Sequence, residues 1–169
     1  SNTKDGVITP HLAPWLRHFK GLHGYEVKEP YRKIVVLRPG AKTRRMTNSD
    51  ELLLALKGWE TVVLENMTIR EQIKTFAEAT HVVAAHGAGL VNLLWCKAGT
   101  KVIEIQDTNM VHKKVYPILS HHLGLKHELY LADTVPIKLE NGKKPQGIKR
   151  ISDLINFKID IPDLLKYLD

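Results

Sequence analysis

A glycine-rich pentapeptide, residues 86–90, is the stretch of this sequence whose residue types are best suited to chemistry. It follows an apolar run typical of a buried strand and precedes an apolar segment that predicts a helix. Glycines at such a junction let a ligand approach the backbone closely, and the first N–H groups of the helix can bind an anion. The pentapeptide therefore predicts an anion-binding turn. Its candidate ligand-binding residues are His86, Gly87, Ala88 and Gly89, with Asn92 in the helix.

Two other polar segments are predicted to lie beside this turn. Arg38, Arg44, Arg45 and Asn48 follow one apolar run, and Glu104 lies at the end of another. Because the carboxyl ends of parallel strands meet at one edge of a sheet, we expect all three segments to border one cleft. Guanidinium groups are suited to phosphate oxygens, and a carboxylate at a strand end is suited to ribose hydroxyl groups. Together the segments predict a site for a nucleotide diphosphate.

Each of these residues also has a simpler structural interpretation. Asn48 and Glu51 match a helix-capping box, which would by itself explain both. Glu104 alternates with apolar neighbours and would then only face solvent at a strand end. His86 would brace the turn through a hydrogen bond. Gly87 and Gly89 would only allow the helix to pack closely against the strand. The arginines would be charged groups of a solvated loop.

No arrangement in the sequence is typical of a metal site or of a covalent nucleophile. The single cysteine, Cys96, excludes an intrachain disulfide and a four-cysteine zinc site. The sequence has no Asp-x-Asp triplet, no serine nucleophile elbow and no Gly-x-x-x-x-Gly-Lys loop. We therefore expect no metal ion. Five histidines show no ligand spacing and are interpreted as structural or surface residues: His81, His112, His121, His122 and His127.

Apolar runs and helical patterns alternate along the chain, which predicts an α/β fold. Strands are predicted at residues 34–37, 61–64, 82–85, 101–105 and 126–131. Helices are predicted at residues 48–57, 68–79, 90–97, 111–123 and 161–168, and an exposed loop at residues 140–147. Residues 31–169 are thus expected to form one Rossmann-like domain, an open and mostly parallel sheet with helices on both faces. Residues 1–30, with three prolines, predict an irregular segment with a short helix at residues 15–19.

The composition narrows the class of partner. The net charge of +7 on 169 residues favours anionic partners. The basic residues are scattered with few aromatics among them, which argues against a nucleic-acid surface. No apolar run approaches the roughly 20 residues of a membrane span, so a soluble chain is predicted. Such a chain would lie in the cytoplasm of a bacterial or viral source. In a eukaryotic source with an N-terminal anchor, it would lie in the secretory-pathway lumen.

The motifs follow one another in a fixed order along the chain. The first part is the segment from Arg38 to Leu52, with its arginines, Asn48 and Glu51, and Glu65 and the helix at residues 71–76 follow it. The pattern then continues through the glycine-rich turn to the end of the fourth predicted strand. Its later residues are His86, Gly87, Ala88, Gly89, Leu90, Asn92, Gly99 and Glu104. This ordered set of motifs resembles glycosyltransferase family 61.

The resemblance implies the C-terminal, donor-binding half of a two-domain GT-B-type sugar transferase. Such an enzyme transfers a sugar from a nucleotide donor, usually UDP-linked, to a glycan or protein hydroxyl group, with inversion and generally without an essential metal. Arg38 with Arg44 or Arg45 would hold the diphosphate. The turn at residues 86–89 would stabilise the charge of the departing nucleotide, and Glu104 would hold the ribose. The segments near residues 82–86 and after Glu65 would border the base.

A full member has an upstream acceptor-binding domain, which would carry the general base, whereas only about 30 residues precede the first predicted strand here. These residues would then be a remnant of an interdomain connection. Two alternatives remain open. The chain would be a non-catalytic nucleotide-binding module, or an adenosyl-methionine-dependent methyltransferase with a similar strand–turn–helix. The arginines favour a phosphate-containing ligand over adenosyl methionine, and so argue against the methyltransferase.

Overall fold

Five strands form one parallel sheet in the computed structural model, which describes residues 12–23, 25–107, 114–137 and 155–168. The strands are β1 (Arg32–Val36), β2 (Glu60–Val62), β3 (Ala79–Ala85), β4 (Lys101–Gln106) and β5 (Lys126–Leu131). They lie in the order β2-β1-β3-β4-β5, and every neighbouring pair is parallel. This arrangement confirms the predicted α/β, Rossmann-like fold.

The strand order reverses at the centre of the sheet. From β1 the chain moves outward to β2, and it then returns to the other side of β1 to form β3. The connections that leave the carboxyl ends of β1 and β3 therefore run in opposite directions. In open α/β sheets, a ligand-binding crevice forms at such a switch point.

Both faces of the sheet are buried, because successive strand residues point to opposite sides. Ile34 and Val36 pack into one apolar layer, whereas Val35 packs into the other. The first layer includes side chains from α1 (Leu12–His23), α3 (Ile69–Ala77), the 3-10 helix Ala88–Trp95 and α4 (Val115–Leu123). The second layer includes side chains from α2 (Ser49–Ala55) and α5 (Ile161–Leu165).

Several elements differ from the sequence-based predictions. The segment after the glycine turn is a 3-10 helix, and the N-terminal helix α1 is longer than predicted. An antiparallel ribbon of β6 (Asp133–Pro136) and β7 (Ile155–Lys158) was not predicted at all. The loop expected at residues 140–147 lies outside the described residues. None of the helices among the described residues combines the length and the apolar character that a membrane span requires.

The predicted capping box at Thr68 is confirmed. The Thr68 hydroxyl accepts a hydrogen bond from the Glu71 N–H, and the Thr68 N–H donates to the Glu71 carboxylate at 2.7 Å. This reciprocal pair satisfies two N–H groups that the first turn of a helix leaves without partners. It fixes the start of α3, whose Phe76 is fully buried against the sheet.

Candidate functional site

The segment that carries the three candidate arginines runs beside β7. Its backbone forms three hydrogen bonds with that strand: Arg44 N–H to Ile155 O at 2.6 Å, Phe157 N–H to Arg45 O at 3.0 Å and Thr47 N–H to Phe157 O at 2.8 Å. The Asn156 side-chain oxygen also accepts from the Arg45 N–H at 3.0 Å. Arg44 adopts a left-handed backbone conformation with φ of 54°, so the chain bends there. Strand β7 thus fixes the backbone of Arg44 and Arg45.

Asn48 has a structural role that differs from both interpretations of the sequence. Its amide donates to Ile159 O at 2.8 Å and accepts from the Ile159 N–H at 3.0 Å. The side chain is buried and does not cap the first turn of α2, although Asn48 occupies the N-cap position. Because both polar atoms of the amide are bonded to Ile159, Asn48 stabilises the arginine segment and does not line the cavity described below.

The glycine-rich turn leaves the carboxyl end of β3 and enters the 3-10 helix at Ala88. The first helical hydrogen bond is donated by Leu90 N–H to Gly87 O at 3.0 Å. A Cβ atom on Gly89 would lie 2.7 Å from Leu64 Cδ1, so a larger residue here would displace the Leu64 side chain. Close approach to Leu64 therefore accounts for one of the two glycines.

Two side-chain amides connect the glycine-rich turn to the short 3-10 turn Leu64–Asn66. Asn92 donates to Gly89 O at 3.2 Å and to the Gln72 side chain at 3.0 Å. Gln72 in turn donates to Leu64 O at 3.1 Å and to Met67 O at 3.3 Å. Asn92 thus fixes the position of one turn relative to the other, a role that the sequence did not indicate.

A cavity of about 780 Å³ lies between the arginine segment and the glycine-rich turn. Its volume is within the range of small-molecule sites, and its position is the switch point between β1 and β3. The predicted site residues that line it are Arg38, Arg44, Arg45, Gly87, Ala88, Gly89 and Asn92. The structure therefore brings most of the predicted residues together at the predicted edge of the sheet. His86, Asn48 and Glu104 lie outside the lining.

Glu104 is fully buried beneath the turn, where it belongs to a polar network. Its carboxylate accepts hydrogen bonds from His86 Nδ1, from His127 Nε2 at 2.9 Å and from Gln106 Nε2 at 2.9 Å. Burial raises the pKa of this carboxyl group, but the hydrogen bonds from His127, His86 and Gln106 outweigh that effect and lower it overall. The sequence predicted that Glu104 would hold a ribose. The structure argues against that role, because both oxygens of Glu104 already accept hydrogen bonds inside the protein and the residue does not line the cavity.

His127, interpreted from the sequence as a structural or surface residue, is a structural member of this network, although its contact with Glu104 was not predicted. It lies on β5, opposite the neighbouring strand β4, and its other ring nitrogen is 2.7 Å from the Ser120 hydroxyl. The His86 ring contacts Tyr116 edge-to-face, with 5.3 Å between centroids. Burial and the nearby Glu104 charge raise the pKa of Tyr116. The histidine that begins the turn is thus braced by hydrogen bonding and packing.

Two carboxylates that were not among the predicted ligands line the cavity. Asp50 lies in the first turn of α2, and Glu65 lies in the 3-10 turn that follows β2. Glu65 Oε1 is 3.6 Å from Arg38 Nε. In the part of the chain that the structure describes, no group of three or more His, Cys, Asp or Glu side chains is arranged to hold a metal ion.

Comparison with known proteins identifies the family. Residues 3–103, more than half of the chain, match the family model described as Glycosyltransferase 61. The chain belongs to glycosyltransferase family 61. It is also 28% identical over 137 residues to the Beta-1,2-xylosyltransferase RCN11 of Oryza sativa subsp. japonica, an alignment that covers 75% of this chain. The aligned part of this chain spans only 23% of the length of the rice protein.

Proposed function

We propose that this chain is the nucleotide-sugar-binding domain of an inverting glycosyltransferase that uses a UDP-linked donor. The observation that carries the proposal is the cavity at the switch point, where three arginines and the glycine-rich turn line one space. Family membership supports a transferase, and the rice relative supports UDP-xylose as the first donor to test. The acceptor is a glycan or protein hydroxyl group.

The charge distribution of the cavity is suited to the leaving group. As the bond between the sugar and the nucleotide breaks, negative charge develops on the diphosphate. Fixed positive groups aimed at that charge stabilise the transition state more than the ground state. In our proposal Arg38, Arg44 and Arg45 bind the diphosphate oxygens, and the N–H groups of Gly87 to Gly89 complete the site. His86 acts through the turn that it anchors.

The remaining chemistry is assigned outside this chain. In an inverting transfer the acceptor oxygen forms its bond to the anomeric carbon as the nucleotide leaves from the opposite face, and the acceptor proton passes to a general base. We propose that an upstream acceptor-binding domain, or a partner chain, supplies that base. The arginines provide the positive charge, so we expect UDP affinity to be unchanged in EDTA.

Calorimetric titration with UDP tests the donor site. Arg38→Ala is expected to weaken UDP binding about tenfold or more, because charge-assisted hydrogen bonds to phosphate are the strong ones. Lys126→Ala is the matched control, since it removes the same charge at the amino end of β5, the opposite edge of the sheet. Absence of UDP binding, or an equal loss in both variants, would refute the proposal.

The two alternative functions differ in simple assays. A methyltransferase would be stabilised against heat by adenosyl methionine and not by UDP, whereas we expect the reverse. A non-catalytic module would bind UDP but would not transfer sugar when the acceptor-binding part is supplied. Multiple-turnover transfer by the full-length protein that is lost in Arg38→Ala would exclude such a module.

A further inference from the structure

We propose that Glu65, and not Glu104, binds the ribose hydroxyl groups of the donor nucleotide. This inference rests on the proposed function, because it assumes a nucleotide diphosphate in the cavity. Ribose hydroxyl groups are hydrogen-bond donors that carboxylates accept well, as they do in dinucleotide-binding folds. The question is therefore which carboxylate of this chain is accessible from the cavity and close to the diphosphate site.

Burial excludes Glu104 from this role. Its side chain is fully buried, and both of its oxygens accept hydrogen bonds from protein groups. A ribose would have to displace His86 or His127, which would leave a buried ring N–H without a partner. Glu65 has the opposite environment, since its side chain is 58% exposed and lines the cavity.

The order of strand ends places Glu65 in line with the diphosphate site. In the sheet, β2, β1 and β3 are adjacent, and their carboxyl ends are followed by Glu65, by Arg38 and by the Gly87–Gly89 turn respectively. A diphosphate held between the ends of β1 and β3 leaves the end of β2 for the next part of the nucleotide. In a UDP-linked donor the diphosphate carries the ribose on one phosphate and the sugar on the other. We assign the end of β2 to the ribose, in line with the expectation that the segment after Glu65 borders the base.

Local contacts hold Glu65 beside Arg38. The turn around Glu65 is closed by Asn66 N–H to Val63 O at 3.0 Å and Met67 N–H to Leu64 O at 3.1 Å. Arg38 Nε lies 3.6 Å from Glu65 Oε1, a loose pair between two partly exposed groups. A guanidinium that is shared with a phosphate would keep this carboxylate next to the nucleotide while leaving its second oxygen free for a hydroxyl group.

Asp50 is the rival carboxylate and the matched control. It also lines the cavity and is exposed, at the start of α2. Within the described ranges, however, the Asp50 carboxylate forms no ion pair with an arginine of the cavity, and it does not follow a strand end of the sheet. Glu65→Gln and Asp50→Asn each remove one negative charge from the lining and retain the size of the side chain.

The decisive experiment compares UDP with 2′,3′-dideoxy-UDP by calorimetry in the wild-type chain and both variants. We expect the wild type to prefer UDP about tenfold, the effect of a hydrogen bond to a charged group. Glu65→Gln is expected to abolish that preference, and Asp50→Asn to retain it. Thermal melting checks that both variants are folded.

Inorganic pyrophosphate provides a second readout of opposite sign. Because Glu65 competes with phosphate for Arg38, Glu65→Gln is expected to strengthen pyrophosphate binding by about two- to fivefold, which is the range of exposed ion pairs. If Glu65 had a purely structural role, Glu65→Gln would weaken the binding of UDP and of pyrophosphate together. The inference therefore predicts that a single substitution improves binding of the diphosphate and removes recognition of the ribose.

The outcomes separate this inference from the function on which it rests. If the wild type binds neither UDP nor pyrophosphate, the proposed function fails and the assignment of Glu65 fails with it. If the wild type prefers UDP over the dideoxy analogue and Glu65→Gln keeps that preference, only the assignment of Glu65 is overturned. Loss of the preference in Asp50→Asn alone would assign the ribose to the rival carboxylate.

Discussion

The two ends of β1 use the same residue type in different ways. At the amino end, Arg32 Nη1 is 2.5 Å from Glu60 and Nε is 2.6 Å from Glu78, and its side chain is 23% exposed. Burial alone would lower the pKa of Arg32, but the hydrogen bonds with Glu78 and Glu60 raise it. The charge of Arg32 is therefore neutralised inside the protein, where it connects β1 to the starts of β2 and β3.

Beyond the carboxyl end of β1, positive charge is in surplus. Arg38 is about half exposed, and its ion pair with Glu65 is loose at 3.6 Å. Arg44 and Arg45 line the same cavity. The position of an arginine relative to the two ends of β1 therefore decides its use. Charge paired at the amino end stabilises the sheet, whereas unneutralised charge at the carboxyl end is available to a ligand.

The largest expected effect on stability separates these two ends. Arg32→Ala should lower the free energy of unfolding by about 2–3 kcal/mol, because it leaves the buried Glu78 carboxylate without its closest partner. UDP affinity should change less than twofold. Urea denaturation and calorimetry on the same preparation measure both quantities. A tenfold loss of UDP affinity without loss of stability would contradict the division between the two ends.

A smaller effect is expected at the residue that secures the carboxyl-end arginines. Asn48→Ala removes two buried hydrogen bonds to Ile159 and should cost about 2 kcal/mol of stability. UDP affinity should fall about threefold to fivefold, since the segment bearing Arg44 and Arg45 loses part of its support. Asn48→Asp should cost at least as much stability as Asn48→Ala at neutral pH, because its second carboxylate oxygen would face the Ile159 carbonyl oxygen. Unchanged stability in Asn48→Ala would show that the pair with Ile159 contributes nothing.

The smallest expected effect is a pH dependence beneath the glycine-rich turn. The pKa of Glu104 is lower in the folded protein than in the unfolded chain, so its stabilisation is present above the usual pKa of glutamate and is lost as the pH falls. We therefore expect the free energy of unfolding to decrease as the pH falls below the usual pKa range of glutamate, and Glu104→Gln to remove this dependence. The exposed Glu128→Gln on β5 is the control, and an equal change of slope in both variants would contradict the assignment.

Much of the sheet and one half of the site were predictable from local sequence. Continuous apolar runs identify the buried strands β1 and β3. Strand β5, a more polar and more exposed segment, was nevertheless predicted with its observed bounds, Lys126–Leu131. The glycine-rich turn follows directly from the end of β3, so its place at the sheet edge depends only on that strand. The arginines follow β1 in the same way. Their convergence on one cavity is a consequence of parallel topology.

The unpredicted features depend on contacts between distant parts of the sequence. The bonds of Asn48 to Ile159 join residues 111 positions apart, and no local pattern distinguishes them from a helix cap. The burial of Glu104 depends on His127, which follows it by 23 positions and reaches it only because β4 and β5 are neighbours in register. Alternation along one strand cannot show which groups lie opposite on the next strand.

The pairing of the arginine segment with β7 has a consequence for the order in which the protein matures. All five strands of the sheet lie before residue 132 in the sequence. The hydrogen bonds that hold the backbone of Arg44 and Arg45 and the side chain of Asn48, in contrast, require residues 155–159. During synthesis from the N-terminus, the glycine-rich turn can therefore form before the arginine segment is held in place by β7. A ribosome-bound chain that stops at Leu131 would contain the glycine-rich turn but not the pairing with β7 that holds the backbone of Arg44 and Arg45, so the proposed donor site would be complete only after residues 155–159 are synthesised.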